Sequence, residues 1–212
     1  MNKIGDFLYR ICEWIMRLAF VNFLWIIFTF VGMIILGFFP STMAMFSIIR
    51  KWLLKQEDFP LFKTYWTIFK QEWFRSNVIG GILIMIGYII YLEFSILQIH
   101  TQGILQYSKY PLLVLAIIFC LVCLYIFPID VHFHLKLPHV FKNSLFIMLI
   151  SPIPTFIMIL GLMLIYYVVR ILPPLLLFFG GSATACWIMW CCYQSFLAID
   201  RKKEKYKETI NP

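Results

Sequence analysis

Charge is what this sequence has least of. Only 13% of its 212 residues are Asp, Glu, Lys or Arg, against about 25% in an average soluble domain. A soluble fold of this size needs far more charge to clothe its surface, so the shortage excludes that class. Acidic residues are scarcest, 10 against 18 basic ones. The net charge of +8 comes without an arginine-rich run or a polar domain to present one, which excludes a nucleic-acid footprint. G-x-S-x-G, H-E-x-x-H and phosphate-loop strings are missing. With no signature that pairs an acid with a base, the reading is a non-enzyme with no catalytic residue and no cofactor. A disulfide framework is missing too. Cys120, Cys123, Cys186, Cys191 and Cys192 all lie inside apolar runs. The C-x-x-C of "IIFCLVCLYIF" sits in a lipid-grade segment, where a thiol is a small apolar group. The N-terminus lacks an A-x-A site, and its apolar run exceeds the roughly 7–15 residues of a cleavable signal.

What the chain has instead is apolar length. Hydrophobic residues make up 62% of it, with 22 Phe, 11 Tyr and 7 Trp. Five runs reach the roughly 20 residues that cross a hydrocarbon core as a helix: 18–39, 78–99, 111–130, 145–169 and 173–198. The expected fold is all-α, one polytopic membrane bundle of about five spans. Pro152 and Pro154 should kink the fourth run. Pro173 and Pro174 suit the first turn of the fifth, where a missing N–H costs nothing.

Two further helices are expected beside the spans. In "GDFLYRICEWIMR", Asp6, Arg10, Glu13 and Arg17 share one stripe, which reads as an N-terminal interfacial helix. In "DFPLFKTYWTIFKQEWFRSN", Phe59, Phe62, Trp66, Phe69 and Trp73 recur at helical spacing. Lys63 and Lys70 flank them, with stems able to lie over rings while their ends reach phosphate. The reading is an amphipathic helix over 59–74 in the headgroup plane of the cytoplasmic leaflet, its rings facing lipid or a partner.

The distribution of Lys and Arg fixes an expected topology. If all five runs cross, the positive-inside rule puts the C-terminus in the cytoplasm and the N-terminus outside. Pro40 then marks the inner end of the first span, and Met43 to Leu54 forms a short cytoplasmic-face helix. A rival arrangement makes 18–54 a hairpin turning at Pro40, with the N-terminus inside. Length argues against it, since Thr42 to Leu54 returns only about 20 Å at 1.5 Å per residue.

"LGFFPSTMAMFSIIRKWL", "FPLFKTYWTIFKQEWFRSNVIGG", "LYIFP" and "KNSL" resemble the YesL-type family of bacterial integral membrane proteins of unknown molecular function. The likeness spans nearly the whole chain and is densest over residues 5–80. It implies a multi-pass protein of the bacterial plasma membrane. Because members are often encoded beside carbohydrate ABC transporters, it also implies a link to carbohydrate uptake, with such a transporter as partner beside the lipid bilayer. It carries over no catalytic residue. The chain departs from the family pattern after Phe127-Pro128, reading Ile129-Asp130-Val131-His132-Phe133-His134 where the family tends to have a small apolar pair and then Arg-Phe.

That departure makes "DVHFHLKLPH" the most chemical-looking segment. Asp130, His132, His134 and His139 are residue types that ligate a divalent metal. The blander reading is a set of interfacial histidines in a short cytoplasmic loop, and it is preferred. Glu93 falls near the outer end of the second span, where an ionisable group is a functional candidate; an outer-interface carboxylate is the preferred reading, and for a Glu93 that faces the bundle the candidate partner is Arg170 at the predicted outer end of the fourth span, ahead of Asn22. Asn22, Thr29 and Gln98 are weaker polar positions. Gly80, Gly81, Gly180, Gly181, Thr184 and Ala185 are small residues suited to close helix packing. The leading functional expectation is a non-enzymatic accessory or assembly partner. The alternative is a small transporter or channel component acting as an oligomer.

Overall fold

The computed structural model describes residues 3–56, 58–99 and 107–210. Among them are eight helices: α1 (Lys3–Val31), α2 (Ile35–Leu53), α3 (Leu61–Gln71), α4 (Trp73–Ile99), α5 (Lys109–Phe133), α6 (Leu137–Ile150), α7 (Pro152–Ile171) and α8 (Pro174–Ile210). Five are long and apolar enough to cross a membrane, over Gly5–Val31, Trp73–Leu97, Lys109–Phe133, Pro152–Ile171 and Pro174–Arg201. Apolar side chains such as Tyr91, Ile153, Leu164 and Ile171 stand exposed along them. Only a hydrocarbon medium makes such a surface cheap.

The first expected span, 18–39, is not one helix. The predicted interfacial helix and the start of that span are continuous in α1, and the chain then reverses at Gly32-Met33-Ile34. Met33 and Ile34 both take the left-handed conformation, with φ of 59° and 62°. Two glycines make the reversal possible. A Cβ on Gly32 would lie 2.3 Å from the Gly37 Cα, and one on Gly37 would lie 2.4 Å from the Thr29 carbonyl oxygen. The turn closes its own hydrogen bonds, with Met33 N–H on the Phe30 carbonyl and Ile34 N–H on the Thr29 carbonyl, at 3.0 and 2.9 Å. A turn that saturates itself in this way tolerates apolar surroundings, and Met33 and Ile35 are 79% and 73% exposed there.

α2 then runs back antiparallel to α1. Trp14 packs edge-on against Trp52 and Trp25 against Phe38. Pro40 lies inside α2 and does not end it. At 19 residues the returning helix is about 28 Å long, which removes the length objection to a hairpin, because the reversal comes eight residues before Pro40. α2 packs on α1, α3, α4, α5 and α8. Its Met43, Ala44, Ile48 and Ile49 are at most 2% exposed. Shielded by other helices, it can carry Ser41, Thr42 and Arg50 and still sit at the centre.

The hairpin also brings the two ends of the described chain toward one end of the bundle. Trp14 of α1 shares a groove with Trp190 of α8, and Trp52 near the end of α2 packs on Trp14. His132 near the end of α5 packs on Phe196 of α8. The early part of α1, the ends of α2 and α5, and the later part of α8 therefore meet at one end of the bundle.

The 145–169 run is likewise divided rather than kinked. α6 stops at Ile150 and α7 starts at Pro152, with Ser151 between them in a non-helical conformation (φ −117°, ψ 65°). A proline at the first helical position loses no hydrogen bond, so the break falls where the sequence can best accept it.

Candidate functional site

Charged side chains gather where α4 begins and α5 ends. Arg75 lies in the first turn of α4, and Asp130, 1% exposed, in the last turn of α5. Arg75 Nε donates to Asp130 Oδ2 at 3.1 Å. Its Nη2 donates to the other carboxylate oxygen and to the Leu135 carbonyl. A buried carboxylate is stable only when paired and hydrogen-bonded, and this fork supplies both. His134, left-handed with φ 47°, closes α5 just before Leu135. Glu72, the hinge residue between α3 and α4, lies 3.9 Å from Arg75. Its Oε2 is buried without a hydrogen bond. Burial pushes the Glu72 carboxyl above the usual range and Asp130 pushes it further, while Arg75 and His134 pull it back.

A second contact joins α2 to α5. Arg50 Nε donates to His132 Nδ1 at 3.3 Å, and Arg50 Nη2 reaches the His132 carbonyl at 3.5 Å. The imidazole is boxed by Phe133, Tyr193 and Phe196.

Between α1, α2, α5 and α8 lies an apolar cavity of about 550 Å³, bordered by Trp25, Thr42, Phe46, Cys123, Gly181 and Thr184. Its polar atoms are already engaged. Thr42 Oγ1 donates to the Phe38 carbonyl and accepts from Trp25 Nε1. Thr184 Oγ1 reaches the Gly180 and Gly181 carbonyls, both at 2.8 Å. At its rim Asn22 is wedged into the ladder of α8. Gly181 and Ser182 N–H donate to Asn22 Oδ1 at 3.0 Å, and Asn22 Nδ2 donates to the Leu177 carbonyl at 2.7 Å. The amide thus bridges the 177–181 step of the helix.

The residues singled out from sequence separate into several places. Glu93 and Arg170 are both exposed and no ion pair joins them among the described residues. Their helices belong to different groups, α4 packing on α2 and α5, and α7 mainly on α8. Asp130, His132, His134 and His139 are not brought together as a ligand set. Asp130 is taken by Arg75 and His132 by Arg50, whereas His134 and His139 are exposed. The aromatic stripe does not face lipid throughout. Phe62, Trp66 and Phe69, joined by Tyr65, surround Phe28 of α1 with ring centroids 5.1–6.0 Å away. Trp73 packs on Phe69, Lys51 stands over Phe59, and Lys70 stands over Trp66. Lys63 is exposed. The helix over 59–74 is therefore two, α3 and the start of α4, with its aromatic face spent largely on the α1–α2 hairpin. Gly80 receives the Phe39 ring, while Gly81 has open space where a Cβ would go. Gly180, Gly181, Thr184 and Ala185 border the cavity.

Sequence reasoning passed over Arg50 and Arg75, which it counted only as topology signals, and over Asn77 and Tyr65. A signal was there for Asn77: a proline inside a helix leaves one carbonyl without its donor, and an amide nearby in the fold can replace it.

The family model described as "Protein of unknown function, DUF624" matches residues 18–94, the stretch holding Asn22, the hairpin, Arg50, α3, Arg75 and Asn77. Among curated proteins, the uncharacterized protein YesL of Bacillus subtilis (strain 168) is 31% identical over 207 residues, covering 98% of each chain. The uncharacterized protein YteU of the same strain is 32% identical over 192 residues, 91% of this chain and 86% of the relative. YesV, also uncharacterized and from that strain, is 28% identical over 195 residues, 92% of this chain and 94% of the relative. No solved structure matches the chain.

Proposed function

The chain belongs to the YesL-type family of unknown function, DUF624, and from that premise we propose that it is a non-enzymatic accessory or assembly partner of a membrane transport system, linked by family resemblance to carbohydrate uptake. The observation that carries this reading is how the ionisable groups at the charged end are used. Asp130 and Arg75 clamp α5 to α4, and His132 and Arg50 clamp α5 to α2. These groups hold helices in place, and the adjoining cavity is apolar with its hydroxyls internally bonded. Such a design suits a rigid body that docks.

The docking face in this reading is the end where the termini meet. Of the 18 Lys and Arg, all but Lys109 and Arg170 belong by sequence to segments at this end. The positive-inside rule then makes it cytoplasmic, with both termini in the cytoplasm of a bacterial plasma-membrane protein. Exposed Lys55, Lys63, Lys70, Lys136 and Lys142 give that face its charge. Affinity purification of the tagged full chain from native membranes in mild detergent tests the reading. A stoichiometric membrane-transport subunit should co-purify. Isolation of the chain alone from cross-linked membranes would reject it.

A second reading, a small transporter component acting as an oligomer, draws on one observation. The Asn22 amide bonds backbone groups of the continuous α8 helix close to a cavity between α1, α2, α5 and α8, and carriers bind substrate between helices inside the bilayer. Solute movement by the purified protein alone in liposomes would favour this reading over the first.

A further inference from the structure

Three described arginines are half-buried: Arg17, Arg50 and Arg75. Arg17 is paired with Glu13 and Arg75 with Asp130. Arg50 alone among them has no carboxylate. Its contacts are a neutral imidazole nitrogen and a backbone carbonyl. Partial burial of a guanidinium is costly without an anion, and a guanidinium carries five N–H donors, of which these contacts use two.

Among the described residues, the neighbours of Arg50 supply neutral acceptors and further donors but no carboxylate. His132 accepts from Arg50 through Nδ1, so the ring proton of the neutral imidazole resides on Nε2, which is then a donor. Tyr193 packs near His132, with ring centroids 6.3 Å apart, and its phenol can donate through O–H as well as accept. Lys51 follows Arg50 in the chain. The field of Asp200 reaches His132, but Asp200 forms no ion pair with Arg50 among the described residues. The local balance stays positive and donor-rich.

We propose that Arg50, His132 and Tyr193, at the junction of α2, α5 and α8, form a binding site for a phosphate group. His132 holds the Nε and Nη2 edge of the guanidinium, which leaves the Nη1 and Nη2 end free to grip two phosphate oxygens, and the phenol offers a donor for a third. The phosphate can belong to an anionic lipid headgroup or to a soluble phosphate. This site goes beyond the accessory reading and does not rest on it.

The test uses the full-length protein with its thermal midpoint as readout, in two arms. In phosphate-free detergent, inorganic phosphate is titrated in. In nanodiscs, phosphatidylcholine is compared with phosphatidylcholine containing phosphatidylglycerol. The wild-type midpoint should rise in at least one arm. A rise with inorganic phosphate assigns a soluble ligand, and a rise with phosphatidylglycerol alone assigns the headgroup. Arg50→Gln should raise the half-saturating concentration about tenfold or more, Arg50→Lys less, and the exposed-site control Arg10→Gln not at all. Should Arg50→Gln fail to fold, Tyr193→Phe carries the comparison with an expected weakening of about threefold. A wild-type midpoint unmoved in both arms would overturn the proposal. So would half-saturation in the folded Arg50 variants, or in Tyr193→Phe where it stands in for them, equal to that of wild type.

Discussion

Asn77 gives Leu36 the hydrogen bond that Pro40 withholds. In α2 the Leu36 carbonyl would accept from residue 40, but proline has no N–H. Asn77 Nδ2, from α4, donates to that carbonyl at 3.0 Å while also bonding its own Trp73 carbonyl at 2.7 Å. The proline defect in one helix is thus repaired by the side chain of another. Asn77→Leu should destabilise the detergent-solubilised protein by about 1–3 kcal/mol, the cost of leaving without a partner a carbonyl that an apolar surround cannot satisfy. In a Pro40→Ala background the ladder can close by itself, so the same change should cost clearly less. Strict additivity of the two substitutions in thermal unfolding would reject the repair.

Asn22 performs a related task on α8, where one amide meets two N–H groups and one carbonyl. Asn22→Leu should therefore cost more than Asn77→Leu. Asn22→Asp, at a site 1% exposed, keeps the acceptor for Gly181 and Ser182 as the neutral acid but becomes an unpaired buried carboxylate when ionised, so it should be milder than Leu at pH 5 and lose that advantage at pH 8. Equal loss for Asp and Leu in thermal unfolding at pH 5 would show that the acceptor contributes nothing.

The hairpin turn gives a sharp contrast among glycines. Gly32→Ala and Gly37→Ala each place a methyl under 3 Å from backbone of the other strand of the turn, which the backbone can relieve only by opening the hairpin. Gly81→Ala meets nothing within 4 Å and should be neutral or slightly stabilising, since alanine favours helix. Expression level and thermal midpoint in detergent check this, and a Gly32→Ala protein as stable as Gly81→Ala would refute the turn geometry.

Much of the fold was legible in the sequence because lipid imposes length. Runs 78–99, 111–130 and 173–198 became α4, α5 and α8 with modest shifts at their ends. The reversal at 32–34 was not legible, because nothing polar marks it. A turn in water would advertise itself with Asn, Asp or Pro, whereas Gly32-Met33-Ile34 sits within an unbroken apolar string. The ion pairs were hidden for a different reason. Arg75 and Asp130 are 55 residues apart, and in the sequence Arg75 reads as a loop charge and Asp130 as one of a group with the histidines beside it. Glu93 and Arg170 pair in the sequence reading only because both fall on one predicted side. Sidedness says nothing about which helices touch.

The shared end of the termini yields a labelling prediction. Single cysteines at Tyr9, Gln56 and Lys202, in a background cleared of native cysteines, should report the same side of the membrane to an impermeant maleimide. A cysteine at Gln102 should report the opposite side. By the charge distribution the first side is cytoplasmic. Label at Tyr9 from the side opposite Lys202 would restore the single-crossing reading of 18–39.

Glu72 gives a pH dependence whose sign follows from its surroundings. Burial, then Asp130, raise its proton affinity in the folded protein above that of the unfolded chain. The groups facing it are Arg75 and Asp130, with His134 more distant in effect. For an acid with a raised folded-state pKa, the folded state binds the extra proton. The stabilising contribution is therefore complete below the ordinary carboxyl range and is lost as pH rises through the folded-state value. Above that value the protein carries a second carboxylate beside Asp130, while Arg75 is already committed to Asp130 and Leu135. Glu72→Gln mimics the protonated form at every pH. Its thermal midpoint should match wild type in acid and exceed it at pH 8, with the gap opening as Glu72 ionises. The weak 3.9 Å contact with Arg75 works against this, since Gln forfeits it. That contact is long and Arg75 is held elsewhere, so its loss should be the smaller effect. A Glu72→Gln protein less stable than wild type at pH 8, or a gap that does not change between pH 5 and pH 8, would show that Arg75 binds Glu72 more strongly than burial and Asp130 oppose its charge.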